Sequence, residues 1–285
     1  LTLAPLDREI VRRTVAAALA EDLGSAGDVT TQAAIAPDRR ARATLIARTP
    51  MTVAGLDLAR EVFHQLDPGV VFSPYATDGE RVEAGAIVAG AEGRATALLQ
   101  GERTALNFLQ RMSGIATATR AAVEEVSGTG VTILDTRKTA PGLRSLDKYA
   151  VAAGGGTNHR HGLYDAAMIK DTHLAVVASL AAAIRDCRAA GLPASSITAE
   201  VRTLAELDEA IAAGAGRALL DNMTVSALAA CVRAGKGKIV LEASGGLRPG
   251  GLRAVAEAGV DCISLGYLTH SVRASDLAMD LTAVP

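Results

Sequence analysis

The stretch ITAEVRTLAELDEAIAAGAGRALLD, residues 197–221, decides the fold. It opens on an apolar run, Ile197–Val201, that reads as a strand. Leu204, Leu207 and Ile211 then recur at i, i+3 and i+7, the spacing of one helix face, over Leu204–Ala213. Gly214 stops that helix as a C-terminal glycine does, and Ala218–Leu220 starts a second apolar run. Strand, helix, glycine, strand is a βα unit, and repeated βα units build a parallel sheet.

The same unit recurs on both sides. Strands are expected at Val131–Leu134, Ala166–Ile169, Ile239–Leu241 and Cys262–Leu265, with helices over Leu174–Ala190, Val225–Ala234 and Leu252–Ala258. Gly191, Gly235 and Gly259 follow these helices. The later strands return every 20–25 residues or about that, right for a compact barrel, but the stretch is short for eight units. An α/β barrel of six or seven strands is expected.

The first hundred residues read differently. Ala41–Arg48 and Val82–Val88 look like strands, and Asp78-Gly79-Glu80 and Glu92-Gly93 like hairpin turns. Glu9–Glu21 and Gln100–Met112 are amphipathic helices, the second leading through Ser113-Gly114 into a third. An α+β domain therefore precedes the barrel. Asp78–Gly93 has the turn pattern of lipoyl and biotinyl carrier domains, but no lysine sits at a hairpin tip, so a carrier role is not expected.

Composition narrows the function. The chain has 285 residues, 49% of them hydrophobic, enough for a sizeable core. A net charge of −2 argues against nucleic acid, which needs a basic surface. Aromatics at 2% and no tryptophan argue against stacking on single strands. Cys187, Cys231 and Cys262 are far apart and in no metal spacing, which fits a reducing cytoplasm, and Cys262 lies in a core-like run. The N-terminus mixes charged and apolar residues, so neither a signal peptide nor a membrane span is expected. The chain begins at Leu1, so the native start is expected upstream.

Chemistry gathers where the strands end. The first is followed by Asp135, Thr136, Arg137 and Lys138. A glycine-rich segment, Gly154 to Gly156, leads into Asn158, His159 and Arg160, and later strands end at Lys170, Glu200, Asp221, Glu242 with Ser244, and Gly266. In a parallel barrel these ends share one rim, the rim that carries chemistry. The rim then has a basic and an acidic side. Arg137 and Arg160 suit carboxylates by their fork geometry. Three or four cations around one small ligand imply a dianion. Small residues in the last two loops, Ser244-Gly245-Gly246 and Gly266, suit a phosphate. Glu200 and Asp221 suit Mg²⁺, which takes one or two carboxylates plus waters and substrate oxygens. Pairing of each acid with a rim lysine or arginine stands beside that reading.

Together these motifs resemble the quinolinate phosphoribosyltransferase family of type II phosphoribosyltransferases. The resemblance rests on GDVTT at 27–31, GERTALNFLQRMSGIAT at 101–117, LDTRKTAPGLR at 134–144, KYAV at 148–151, GGGTNHRHGLYD at 154–165, IKD at 169–171, LLDNM at 219–223, SGG at 244–246 and LTHSV at 268–272. It implies an α/β fold: an α/β sandwich domain over 1–112, an incomplete α/β barrel over 113–272, and a tail, 273–285, that packs on the first domain. It implies the joining of quinolinate to phosphoribosyl pyrophosphate with Mg²⁺, giving nicotinate mononucleotide, pyrophosphate and CO₂ in de novo NAD synthesis.

By matching motif, Arg103, Arg137, His159, Arg160 and Lys170 would hold the quinolinate carboxylates, with Thr136 and Lys138 near the ribose and pyrophosphate. Glu200 and Asp221 would hold the ribose hydroxyls and the metal, directly or through water. Lys138, Glu200 and Asp221 would be the catalytic set. Ser244, Gly245, Gly246, Gly266 and His270 would bind the 5′-phosphate. Arg103 would come from a neighbouring subunit, with a homodimer as minimal unit and a hexamer as a further level. Thr198, Thr172, Ala243 and Tyr267 depart from the family's usual pattern. Two other readings stand beside this one: a diverged paralogue resembling the ModD proteins of molybdenum-transport operons, and a non-catalytic barrel that binds a phosphometabolite.

Overall fold

The computed structural model describes residues 3–284, and the chain divides into two compact units. In chain order the elements are α1 (Arg8–Leu23), α2 (Val29–Ala34), β1 (Arg40–Ala47), β2 (Met51–Thr52), α3 (Leu56–Leu66), β3 (Val71–Pro74), β4 (Arg81–Val82), β5 (Ile87–Arg94), α4 (Ala95–Glu125) and β6 (Thr132–Leu134). They continue with α5 (Arg144–Ala153), β7 (Ala167–Ile169), α6 (Asp171–Leu174), α7 (Leu180–Ala189), β8 (Ile197–Val201), α8 (Leu204–Ala213), β9 (Arg217–Asp221), α9 (Val225–Gly235), β10 (Val240–Ser244), α10 (Leu252–Glu257), β11 (Cys262–Ser264), α11 (Tyr267–His270) and β12 (Leu277–Val284).

The first unit takes the chain as far as Arg120, then Thr139–Gly155, then the C-terminal stretch from Ser271. Its sheet is antiparallel in the order β12-β1-β5-β3. Strand β1 alternates as a half-buried strand should, with Ala41, Ala43, Leu45 and Ala47 inward. Helix α3 buries Leu58, Ala59, Val62 and Phe63, and Phe63 stacks on Phe72 of β3 at 6.2 Å between ring centroids. Strand β12 pairs with β1 along its whole length, from Leu277 opposite Ala47 to Val284 opposite Arg40.

Three expectations change here. The strand expected over Val82–Val88 is divided, because the chain turns between β4 and β5. Ser113-Gly114 does not divide a pair of helices, because α4 runs unbroken for 31 residues. The Ser113 hydroxyl accepts a hydrogen bond from Ala54 N–H at 3.1 Å instead of capping a new helix. Gly114 is needed for close approach, since a Cβ there would strike the Arg273 carbonyl. Nor is Glu92-Gly93 a turn. The chain turns at Glu83–Ala86, and Glu92 and Gly93 lie inside β5, opposite Arg42 and Ala41. Arg42 bonds Glu92 across the strands at 2.7 Å, so a polar pair that reads as a turn is a cross-strand ion pair.

The second unit holds the parallel sheet, six strands in the order β6-β11-β10-β9-β8-β7. From β7 onward each strand lies beside its predecessor, and the last, β11, lies beside the first, β6. That is barrel winding with one ladder missing. Between β6 and β7 the described residues make only an isolated parallel bridge, Leu134 to Thr157. The incomplete barrel has six strands, at the expected places. The expected helix over Leu174–Ala190 is two helices, α6 and α7. Ser179 ends the link between them by accepting from Ala182 N–H at 3.1 Å, an N-cap that starts α7 afresh. Cys262 is a core residue, 5% exposed, and burial pushes its thiol up to about 12. Among the described residues no helix is long and apolar enough to cross a membrane.

Within the first unit one polar contact is fully buried at one end. The Asp147 carboxylate, 0% exposed, accepts from Arg111 Nε at 2.9 Å and Nη2 at 2.8 Å, and from Ala140 N–H at 3.0 Å. Removing one partner of such a pair strands the other's charge. Asp147→Ala is expected to lower unfolding free energy by about 3–5 kcal/mol, read from urea denaturation. A loss below about 1 kcal/mol, the range of a surface pair, would show that the contact is not structural.

Candidate active site

The C-terminal ends of the six strands surround a cavity of about 290 Å³ in the second unit. Its basic wall is built from two segments that are not strands. At the end of β6, Asp135 is wholly buried and accepts from Asn158 Nδ2 at 2.7 Å and from His159 N–H at 2.8 Å. Its own N–H donates to the Thr157 carbonyl at 3.2 Å. These bonds hold residues 157–160 beside β6 and bring His159 and Arg160 to the cavity that Thr136, Arg137 and Lys138 also line.

Arg137 and Arg160 stand together in that wall. Burial, and then the charge of Arg137, pull the Arg160 guanidinium below its ordinary value. Arg160 Nη1 donates to the Ala166 carbonyl at 2.6 Å, which fixes the side chain. Arg137 Nε is buried and has no protein partner. Two cations sharing a recess, one with a free buried donor, form a receptor for an anion. Lys170, at the end of β7, lines the same cavity, and Met168 and Leu219 give it apolar surface.

His159 is held from both sides. Its Nδ1 accepts from Arg160 N–H at 2.7 Å, and its Nε2 lies 3.3 Å from the Glu242 carboxylate. Glu242 is 0% exposed and also accepts from Arg217 Nη1 at 2.7 Å. Burial alone would raise this carboxyl, but His159 and Arg217 hold it below the usual glutamate range.

The acidic wall is formed by Glu200 at the end of β8 and Asp221 at the end of β9. Burial, then the charges of Asp221 and Asp171, push the Glu200 carboxyl up, while Lys170 and Arg202 pull it down. Arg202 Nη2 lies 3.3 Å from Glu200, and its Nε lies 3.6 Å from Asp221. One shared arginine therefore partners both acids.

Ser244, Gly245 and Gly246 line the cavity next to Asp221, which Ser244 faces across the β9–β10 ladder. Asn222 follows in the left-handed region at φ 53 and donates through Nδ2 to Asp221 at 2.9 Å, while its N–H donates to the Ser244 carbonyl at 2.9 Å. Gly245 lies so close to Asn222 that a Cβ would overlap it, and its φ of 94 disfavours any side chain.

Gly266 is wedged between Lys138 and His270, with 3.0 Å from its would-be Cβ to Lys138 Cδ and 3.1 Å to the His270 ring. Thr269 donates to the Lys138 carbonyl at 2.9 Å and ties these loops together. Gly266 and His270 thus adjoin the cavity through Lys138. Arg103 does not line it. That residue sits on α4 in the first unit with its side chain 60% exposed.

Sequence reasoning placed Asp135 and Glu242 at the rim without a role, and missed Arg202, Arg217 and Asn222. Alternation along Thr198, Glu200 and Arg202 is the one signal that could have found Arg202. Thr198, where an acid was expected from the sequence, is 5% exposed and pairs with Arg217 in the β8–β9 ladder. That arginine is answered by Glu242 at 2.7 Å.

A rim above six parallel strands that carries both cations and acids makes a site for an anionic substrate. The family profile described as quinolinate phosphoribosyl transferase, N-terminal domain, matches residues 28–113, and that described as its C-terminal domain matches residues 115–280. A probable nicotinate-nucleotide pyrophosphorylase (carboxylating) of Bacillus subtilis is 44% identical over 262 residues, 92% of this chain and 90% of that protein. The nicotinate-nucleotide pyrophosphorylase (carboxylating) of Mycobacterium leprae is 41% identical over 96% of this chain and 98% of that protein. The solved nicotinate-nucleotide pyrophosphorylase of Francisella tularensis superposes with a TM-score of 0.91 at 37% identity, covering 99% of each chain. The chain belongs to the quinolinate phosphoribosyltransferase family.

The buried Glu242 carries a testable pH signature. Its folded-state pKa lies below the ordinary 4.5, so its charge stabilises the fold above that value and the contribution disappears as pH falls through the folded pKa. Glu242→Gln is expected to be less stable than wild type at pH 7 and to lose less on going to acid. Urea denaturation across pH 3–7, or about that range, reads both. Parallel curves for the two proteins would remove Glu242 as the acid-sensitive group.

Proposed function

We propose that the chain transfers the phosphoribosyl group of phosphoribosyl pyrophosphate to the ring nitrogen of quinolinate with loss of CO₂, giving nicotinate mononucleotide and pyrophosphate. The observation that carries this reading is the paired Arg137 and Arg160 facing Glu200 and Asp221 across one small cavity. The ends of the cavity match a substrate that bears two carboxylates and reacts at a centre that becomes positive.

Arg137, Arg160, Lys170 and His159 bind and orient the two carboxylates, with Met168 and Leu219 against the flat ring. The ring nitrogen attacks the anomeric carbon as pyrophosphate departs. The ribose passes through an oxocarbenium-like state, and Glu200 and Asp221 stabilise that positive charge. Lys138 screens the leaving pyrophosphate. The ring nitrogen is then cationic, and the bond to the adjacent carboxylate breaks with its electron pair left on the ring carbon. That carbanion, stabilised by the neighbouring cation, takes up a proton. No covalent nucleophile is required, and positioning carries the rate. The backbone at Ser244, Gly245 and Gly246 receives the 5′-phosphate, with His270 beside Gly266.

Mg²⁺ fits the acid pair. The two acids stand at the ends of neighbouring strands and line one cavity, and one or two carboxylates are what an ion that keeps waters and takes substrate oxygens asks of a protein. Glu200 and Asp221 would hold it, directly or through water, and it would neutralise charge on the pyrophosphate. We place the enzyme in the cytoplasm, where its three free thiols persist. Its working unit is a homodimer in which Arg103 of one subunit serves the cavity of the other. The exposure of Arg103 on α4 supports this.

Substrate choice tests the reading. Nicotinate carries one carboxylate and would leave a buried cation unpaired, a cost of about 2–5 kcal/mol, or roughly thirty- to several-thousand-fold in binding. Catalytic efficiency with quinolinate should exceed that with nicotinate by such a factor, with one CO₂ released per pyrophosphate. Arg160→Ala should erode quinolinate use far more than the binding of phosphoribosyl pyrophosphate. Equal efficiencies for the two acids, or product without CO₂, would overturn it.

The shared site has its own test. Arg103→Ala and Lys138→Ala should each be nearly inactive. Mixed under subunit exchange they should regain activity, because some interfaces then carry one intact site. Mixtures that stay inactive despite proven exchange would rule the crossed arrangement out.

A further inference from the structure

Three acids at the ends of three neighbouring strands converge on one guanidinium. Arg202 Nη2 lies 2.9 Å from Asp171 and 3.3 Å from Glu200, and Nε lies 3.6 Å from Asp221. The acids differ in depth. Glu200 and Asp221 are 11% and 16% exposed, whereas Asp171 is 54% exposed and Arg202 53%. The guanidinium therefore covers a sunken acid pair from the solvent side, and its shortest contact is with the outer acid.

The root of Arg202 is tied to the next helix, while its head lies half exposed at the rim. Its N–H donates to Glu206 at 2.6 Å, within the capping box that Thr203 and Glu206 form at the start of α8. Withdrawal of the head toward Asp171 would keep its shortest ion pair and clear the two inner acids. A guanidinium does not lose its proton in proteins, so its charge remains wherever it stands. A divalent ion and this head cannot share the space between Glu200 and Asp221 without strong repulsion.

We propose that Arg202 is the resident counter-cation of the acid pair: it partners Glu200 and Asp221 before either substrate binds and yields only to a metal that arrives with the oxygens of the phosphorylated cosubstrate. The inference rests on the reading of Glu200 and Asp221 as the metal-holding acids. It makes Arg202 a positioning residue that sets when metal enters. With two acids already answered by one cation, the free site is a poor ligand set. The waters and pyrophosphate oxygens that an incoming ion carries supply what the protein withholds.

The experiment titrates Mn²⁺, as a paramagnetic stand-in for Mg²⁺, into the purified chain without either substrate and reads binding by water-proton relaxation. Arg202 is half exposed, so its variants should fold. Arg202→Met is expected to bind Mn²⁺ tighter than wild type by about tenfold. Arg202→Lys, which keeps the charge, should stay near wild type, and Asp221→Asn added to Arg202→Met should remove the gain. Equal binding by Arg202→Met and wild type, or a gain that survives Asp221→Asn, would overturn the proposal. The readout needs no turnover, so such a result would leave the transferase reading to be judged on CO₂ release alone.

Discussion

The buried carboxylate of Asp135 is the constraint on which the site depends. A closed barrel would join β6 to β7 by a ladder. Here the ladder is replaced by one bridge and by Asp135, which grips Asn158 and His159. Apart from the backbone bridge at Thr157 and the contact of His159 with Glu242, that grip is what holds residues 157–160 to the sheet and keeps His159 and Arg160 in the basic wall. An anionic group out of solvent thus organises cations that line the cavity. The pattern repeats one layer further in, where Glu242 secures His159 and Arg217 together. Such buried charges are costly unless fully partnered, so the wall is stiff for the same reason that it is expensive.

The rim's division of charge suits the proposed reaction. In that reading the carboxylates enter on the cationic side, where burial and then the charge of Arg137 lower Arg160. Positive charge would develop first on the ribose and then on the ring nitrogen, toward Glu200 and Asp221. The fold makes this cheap to arrange. Parallel strands deliver their polar ends to a common rim, so cations from Arg137, Arg160 and Lys170 and acids from Glu200 and Asp221 line one cavity. Burial of Glu200 raises its carboxyl first, and the charges of Asp221 and Asp171 add to that.

Much of this was legible in the sequence, and the failures have physical causes. The six barrel strands stand where β-branched and aliphatic runs announced them, because a strand buried on both faces leaves a short unbroken apolar signature. Ser113-Gly114 misled because Gly114 meets a packing need that arises from Arg273, far away in sequence. Glu92-Gly93 misled because its partner, Arg42, is on another strand. The link before α7 was missed because Ser179, a cap, lies within an alanine-rich run that reads as continuous helix. In the site, residues at strand ends were found because position alone marks them. Arg202 was missed because a lone charge after a strand looks solvated until the acids around it are placed. Asn222 was quoted only within a motif, and its left-handed backbone is a property of the folded loop.

Thr198 bears on how much change position 242 can take. It pairs with Arg217 in the β8–β9 ladder, and Glu242 is the acid that answers that arginine at 2.7 Å. With threonine at 198, a neutral residue at 242 takes away the carboxylate that the half-buried guanidinium bonds. An acid placed at 198 would offer that guanidinium a second partner. The tolerance of one strand to substitution is therefore set by the side chain near the start of another.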